Sequence, residues 1–287
     1  MFEKRKKLGL ALGSGGPKGL AHIGIIKALE ENGIPIDFIA GSSIGSLVGG
    51  LYAAKGKIFE VEKIVHDINL FQTLSIFIEP TVNQGLNSGQ KLAKFIEKNI
   101  GDIDFKDLKI PFCAVTTDLK TSKTFLFDKG NVIAGIRASC AVPVFFKPVI
   151  DNNEHMLADG GLSAPVPVEI VRKMGADIII AVNLYENCCE NQEATSFKLS
   201  SIPGKAITIL LNNLAAENIK KADIILNPKV GKVGWRTLLS QKAKFQTIDI
   251  GEETMREKLP QLKKMLFVPK ENLLKRFFNF LFPAQET

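Results

Sequence analysis

Histidine is scarce in this sequence: His22, His66 and His155 are the three present, and none follows His155. A nucleophile, acid and late histidine in that chain order therefore have only His155 to draw on. That residue closes Asn152-Asn-Glu-His155, which reads as a hairpin turn, while His22 reads as a helix-packing or loop-bracing residue. Cysteine is rare too. Cys113, Cys140, Cys188 and Cys189 lack metal-ligand spacing, and adjacent cysteines seldom bridge, so a reducing cytoplasm is expected and no metal or cofactor is. The aromatics are 19 Phe with two Tyr and one Trp, and no helix-turn-helix, zinc-finger or RNA-binding signature accompanies them. A nucleic-acid partner is not expected. No apolar run reaches the roughly 18 residues that span a bilayer. The basic start KRKK is followed only by LGLAL before glycines intervene, so neither a signal peptide nor a transmembrane helix is expected.

What is present suits a well-packed fold. The 287 residues are 45% hydrophobic, enough to bury a sizeable core. The net charge of +7 suggests either an acidic partner surface, such as anionic lipid, or a merely solvated basic face. Lys7 to Leu12 reads as a buried strand, followed by a glycine loop and a helix over Pro17 to Asn32, stopped by Gly33. Ile36 to Ala40 and Ile44 to Ala54 repeat the strand–turn–helix unit, which predicts an α/β sheet with parallel strands. Further strands are expected at Phe112 to Thr116, Thr124 to Phe127, Asp177 to Leu184 and Asp223 to Leu226, with a helix from Ser88 to Asn99. Residues 71–87, apolar but broken by Pro80 and Gly85, and residues 186–201, polar with no period, read as lids or as surface insertions. No linker or repeat divides the chain, which is expected to hold one domain, 1–230, with a C-terminal helical extension, 231–287.

Three short stretches carry chemistry. Gly41-Ser42-Ser43-Ile44-Gly45 fits G-x-S-x-G between a strand and a helix, the context in which a sharp turn thrusts a serine hydroxyl out of the sheet edge. Ser43 is the expected nucleophile, the alternative being that Ser42 or Ser43 only caps the helix. Gly13-Ser-Gly-Gly-Pro-Lys-Gly19 follows the first strand and offers unshielded backbone N–H groups for an oxyanion. It does not fit a dinucleotide fingerprint, because Lys18 stands where the third glycine belongs, nor a Walker loop, because Gly19 follows Lys18. Without a usable histidine the base must be an aspartate, and Asp159-Gly160-Gly161, ending an apolar approach, is the best candidate.

These stretches are similar to those of the patatin-like phospholipases, in the bacterial branch close to the neuropathy-target-esterase type. The resemblance runs through four ordered blocks: LGLALGSGGPKGLAHIG, IAGSSIGSLVGGLYA, IRASCAVPVFFKPV, and LADGG followed by PVPVEI. It implies a three-layer α/β/α sandwich with a mainly parallel central sheet and a Ser-Asp dyad on Ser43 and Asp159. It also implies an oxyanion hole at Gly15 and Gly16, with Lys18 supporting the loop. Ser14 stands where many members have a longer glycine run. The RASCAVP block resembles a family segment lining the pocket and receives no catalytic role. The implied activity is hydrolysis of acyl esters of phospholipids or lysophospholipids. The runners-up are a weakly active or inactive lipid-binding or regulatory protein on the same fold, and a nucleotide-binding protein using the glycine loop. The tail Glu271 to Phe282 reads as a basic amphipathic helix that either lies in a membrane interface or docks on the core or a second subunit. Peripheral membrane contact is thus one expectation, and Lys4 to Lys7 would add attraction for anionic headgroups.

Overall fold

The structure, a computed structural model, describes residues 5–68, 87–151, 153–186 and 202–267. The tail helix read at 271–282, Cys188 and Cys189, and most of the two aperiodic segments lie outside the described residues. Eight strands form one sheet among the described residues: β1 (Leu8–Leu12), β2 (Phe38–Ser42), β3 (Phe112–Asp118), β4 (Lys123–Phe127), β5 (Val149–Ile150), β6 (Met156–Asp159), β7 (Ile178–Val182) and β8 (Ile224–Leu226). Their order is β5-β6-β3-β2-β1-β7-β8, with β4 paired to β3 off this path. The pairs among β3, β2, β1, β7 and β8 are parallel, and β4, β5 and β6 are antiparallel additions at the β3 side. Where strands were expected, strands occur, with ends shifted by a residue or two; β2 runs on to Ser42, which puts Ser43 directly at its exit.

Helices cover both faces. Leu8, Leu10 and Leu12 of β1 point into a large core with α1 (Leu20–Glu31), α2 (Ile44–Lys55), α3 (Ile58–Asp67), α4 (Gln90–Ile100), α5 (Val132–Ser139) and α8 (Gln241–Leu266). The alternate residue Ala11 faces a smaller core with α6 (Val168–Lys173) and α7 (Ile202–Ile219). A strand buried on both faces reads as the continuous apolar run seen at LGLAL. The expected first helix is divided into a 3-10 turn at Gly16–Gly19 and α1 proper, because Gly15 and Gly16 take positive φ and Pro17 opens the turn. Within 231–287, α8 lies against α1 at backbone contact. A Cβ on Gly24 would fall 1.9 Å from the Ile248 carbonyl oxygen, and one on Gly251 would fall 2.0 Å from that of Ala21.

Parallel order places the loops after β1, β2, β7 and β8 at one edge of the sheet, the edge where α/β folds build their sites.

Candidate active site

Ser43 sits on a strained turn. Its φ of 55° and ψ of −122° are unusual for a side chain with a Cβ, and such strain persists only where the surroundings over-determine it. The flanking glycines supply that determination through close backbone approach. A Cβ on Gly41 would stand 2.3 Å from the Gly45 carbonyl oxygen, and one on Gly45 would stand 2.2 Å from that of Leu12. The turn is therefore pressed against the end of β1, where the glycine loop begins. Neither serine caps α2 with its side chain: Ser42 Oγ donates to the Ala164 carbonyl at 2.5 Å, and Ser43 Oγ donates to Asp159 Oδ2 at 2.5 Å.

Asp159 ends β6 and is almost fully buried. Burial pushes its carboxyl up, while hydrogen bonds from Ser43 and from the Gly161 N–H, which reaches Oδ1 at 2.7 Å, pull it back; the balance leaves it at about 6. The two glycines after it are steric requirements. A Cβ on Gly160 would meet the Val115 carbonyl oxygen at 2.1 Å, and one on Gly161 would meet Ser14 Oγ at 2.8 Å. The Asp-Gly-Gly turn thus packs between β3 and the glycine loop.

In that loop Gly13 N–H donates to Val182 O at 3.1 Å and Ser14 N–H to Pro165 O at 2.8 Å. Among the described residues neither the Gly15 nor the Gly16 N–H finds an acceptor, and both residues have positive φ, 156° and 58°. Ser14 turns its hydroxyl away to Tyr185 Oη at 2.8 Å, which accommodates a side chain within the glycine run. His22 is fully buried, and its Nε2 lies 2.8 Å from the Gly13 carbonyl, to which it must donate. Burial drives its pKa down to about 4, so the ring is neutral and braces the loop. Lys18 Nζ reaches the Leu184 carbonyl at 3.4 Å, tying the loop to the chain after β7. His155 faces elsewhere, toward Asp118 at 3.3 Å and the Phe125 ring. His66 is exposed beside Asp67. A cleft of about 780 Å³ between α3 and α4, lined by Phe59, Lys91 and Phe95 among others, includes neither Ser43 nor Asp159.

Sequence reasoning gave no catalytic role to Ser139-Cys140-Ala141, yet this tripeptide grips both partners. Ser43 N–H donates to Ser139 Oγ at 2.9 Å, and Ser139 Oγ in turn donates to Val115 O at 2.6 Å. Cys140 Sγ lies 3.2 Å from the Ser43 carbonyl, and Asp159 N–H donates to Ala141 O at 3.0 Å. The RASCAVP block was the available signal, although nothing in its composition indicates which backbone groups it would hold.

The site can therefore present a serine hydroxyl to a buried carboxylate of raised pKa beside unpaired loop N–H groups, the equipment of nucleophilic acyl transfer. Among the described residues no helix is long and apolar enough to cross a membrane.

A family model described as patatin-like phospholipase matches residues 10–172. An uncharacterized NTE family protein of Mycobacterium bovis is 38% identical over 179 residues, covering 62% of this chain and 49% of that protein. Patatin-like phospholipase domain-containing protein 6 of Mus musculus is 32% identical over 183 residues, 62% of this chain and 13% of that one. Lysophospholipase nte1 of Aspergillus fumigatus is 34% identical over 184 residues, 62% of this chain and 12% of that one. The chain thus spans about half the length of the mycobacterial protein and far less of the other two. Among solved structures, VipD from Legionella pneumophila superposes with a TM-score of 0.52 at 14% identity, over 90% of this chain and 67% of VipD, a likeness of fold.

Proposed function

The chain is a member of the patatin-like phospholipase family, and on that premise we propose that it is a serine esterase cleaving acyl esters of phospholipids or lysophospholipids. The observation that carries this reading is the 2.5 Å hydrogen bond from Ser43 Oγ to a buried Asp159 carboxylate at a strained strand-to-helix turn. In the proposed reaction Asp159 Oδ2 takes the hydroxyl proton as Ser43 Oγ attacks the ester carbonyl carbon. The resulting oxyanion is held by the N–H groups of Gly15 and Gly16 and that of Ile44. As the first residue of α2, Ile44 has an N–H that no preceding helical turn accepts, and it lies at the positive end of the helix. Collapse expels the alcohol, which takes the proton from Asp159; water then repeats the sequence in reverse on the acyl-enzyme, releasing the fatty acid and restoring Ser43. Lys18 and His22 keep the loop in place without touching the reacting atoms.

All of this machinery falls within residues 1–230, the proposed hydrolase domain. A reducing cytoplasm is proposed as its setting, where buried Cys113 and Cys140 remain thiols. No metal or cofactor enters the proposed chemistry. The experiment that tests the reading is covalent labelling with a fluorophosphonate probe and assay on lysophospholipid. Wild type is expected to label and turn over, and Ser43→Ala to lose both with its fold intact by circular dichroism. A folded wild-type protein that neither labels nor hydrolyses, with or without vesicles, refutes the proposal.

A further inference from the structure

Large apolar side chains stand exposed at the same sheet edge as Ser43. Trp235, in the segment that leaves β8, lies over the glycine loop: its Cζ2 is 4.0 Å from where a Gly16 Cβ would be. Its ring sits 6.5 Å from that of Phe145, and Val144 beside it is held at φ 74°, a costly setting for a β-branched residue. Val144, Phe145 and Trp235 are 75%, 56% and 51% exposed. The chain after β7 leads to α7, whose first half carries Ile207, Ile209 and Leu210 in solvent, Leu210 at 67%. A crossover helix runs back along the sheet, so this half lies toward the edge that carries the site.

Charge identifies what would cover this rim. The segments 143–148, 202–211 and 228–240 contain Lys147, Lys205, Lys229, Lys232 and Arg236 and no carboxylate. A second copy presenting the same rim would set cation against cation, whereas an anionic surface attracts the cations and takes up the apolar side chains between them. Tryptophan and phenylalanine flanked by lysine and arginine are the side chains that favour the headgroup boundary of a bilayer.

We propose that this rim, Val144, Phe145, Trp235 and the first half of α7, docks the protein on an anionic lipid surface and so sets the Ser43 opening against the bilayer. The inference takes its partner from the esterase reading but is tested apart from turnover, because Trp235 is the sole tryptophan of the sequence. Its fluorescence therefore reports on the rim alone. Vesicles of phosphatidylglycerol and phosphatidylcholine should shift its emission to shorter wavelength, brominated acyl chains should quench it, and salt should weaken the effect. Phosphatidylcholine vesicles alone should produce much less. Lys232→Gln with Arg236→Gln should weaken binding to the anionic vesicles about thirtyfold. Ile207→Ser with Leu210→Ser should weaken it about tenfold, with the melting midpoint used to confirm folding. Three results overturn the proposal: no sedimentation with anionic vesicles, sedimentation with Trp235 emission unchanged, or a lipid-free blue shift that tracks dimerisation in the ultracentrifuge. Fluorophosphonate labelling of Ser43 in the absence of vesicles reports on the esterase reading separately.

Discussion

Two buried carboxylates occupy opposite ends of the short β3–β6 ladder, and they are treated differently. Asp159 pairs in register with Thr116 at the end next to the serine turn, and Asp118 pairs with Leu157 at the hairpin end. Both residues expose little surface, 6% and 3%, but Asp159 lies in the packed interior whereas Asp118 lies close to the surface at the hairpin end. Burial raises both, but around Asp118 the donors outweigh it: Thr121 Oγ1 at 2.8 Å, Lys120 N–H at 3.0 Å, and His155 Nδ1 and Met156 N–H at 3.3 Å hold its carboxyl below the usual range. Among the described residues the donors to Asp159 are Ser43 and Gly161, and it stays at about 6. A carboxylate near the surface and satisfied by many donors stabilises a turn, whereas one deep in the interior with few donors is kept basic enough to take a proton near neutral pH. The hairpin end, where the sequence placed a candidate catalytic histidine, is a structural anchor, and the basic end is the one without a histidine.

The largest contrast should appear when each carboxylate is neutralised. Asp159→Asn is expected to slow fluorophosphonate labelling about a thousandfold, the scale of a lost general base, while raising stability at pH 8 by about 1–3 kcal/mol because a costly buried charge is gone. Asp118→Asn should do the opposite, keeping the labelling rate and lowering the melting midpoint. A matching loss of labelling in both variants would erase the distinction between the two ends. The signs follow from linkage. The folded pKa of Asp159 exceeds its ordinary 3.8, so the ionised form opposes folding above pH 6, and that penalty is relieved as pH falls from 6 toward 3.8. The folded value of Asp118 is depressed, so its contribution is present above 3.8 and is lost as pH falls through the folded value.

Next in size is the pH dependence of labelling, expected to fall tenfold per unit below about 6 as Asp159 takes up its proton. His155→Gln should leave that midpoint in place; a shift would bring His155 back as a participant. Ser139→Ala, which leaves the Ser43 N–H without its acceptor, should slow labelling about tenfold, in line with the roughly 1–3 kcal/mol cost of an unmet buried donor. It should also move the midpoint upward if the turn drifts from Asp159 and the hydrogen bond that lowers its pKa is weakened. The smallest effect is expected at Cys140, where Cys140→Ser keeps a donor for the Ser43 carbonyl and should label close to the wild-type rate, while Cys140→Val should fall below it.

Much of the fold was legible because its signals are local. A strand buried on both faces must be apolar throughout, as at LGLAL, and a turn pressed against a neighbouring strand must be glycine-flanked, as at Gly41 and Gly45. Continuous apolar runs and turn chemistry therefore located β1, β2 and α2 to within a few residues. The antiparallel attachment of β5 and β6 left no comparable mark, since short strands of two and four residues carry little periodicity. The glycine contacts between α1 and α8 were equally silent, because Gly24 and Gly251 each look like an ordinary helix interruption until the two helices meet.

The sequence by itself determined which residues had the chemistry for a site: a serine on a strand-to-helix turn, a glycine loop, and an aspartate before two glycines. Tertiary structure decided their company. Ser43 and Asp159 are 116 positions apart, and Ser43 and Ser139 are 96, so their hydrogen bonds exist only once β2, β3 and β6 lie side by side. A pKa depends on how many donors and how much water surround a carboxylate, and both are set by packing. Chain order could propose an aspartate, but only the assembled sheet leaves one of two buried aspartates short of donors and next to the serine.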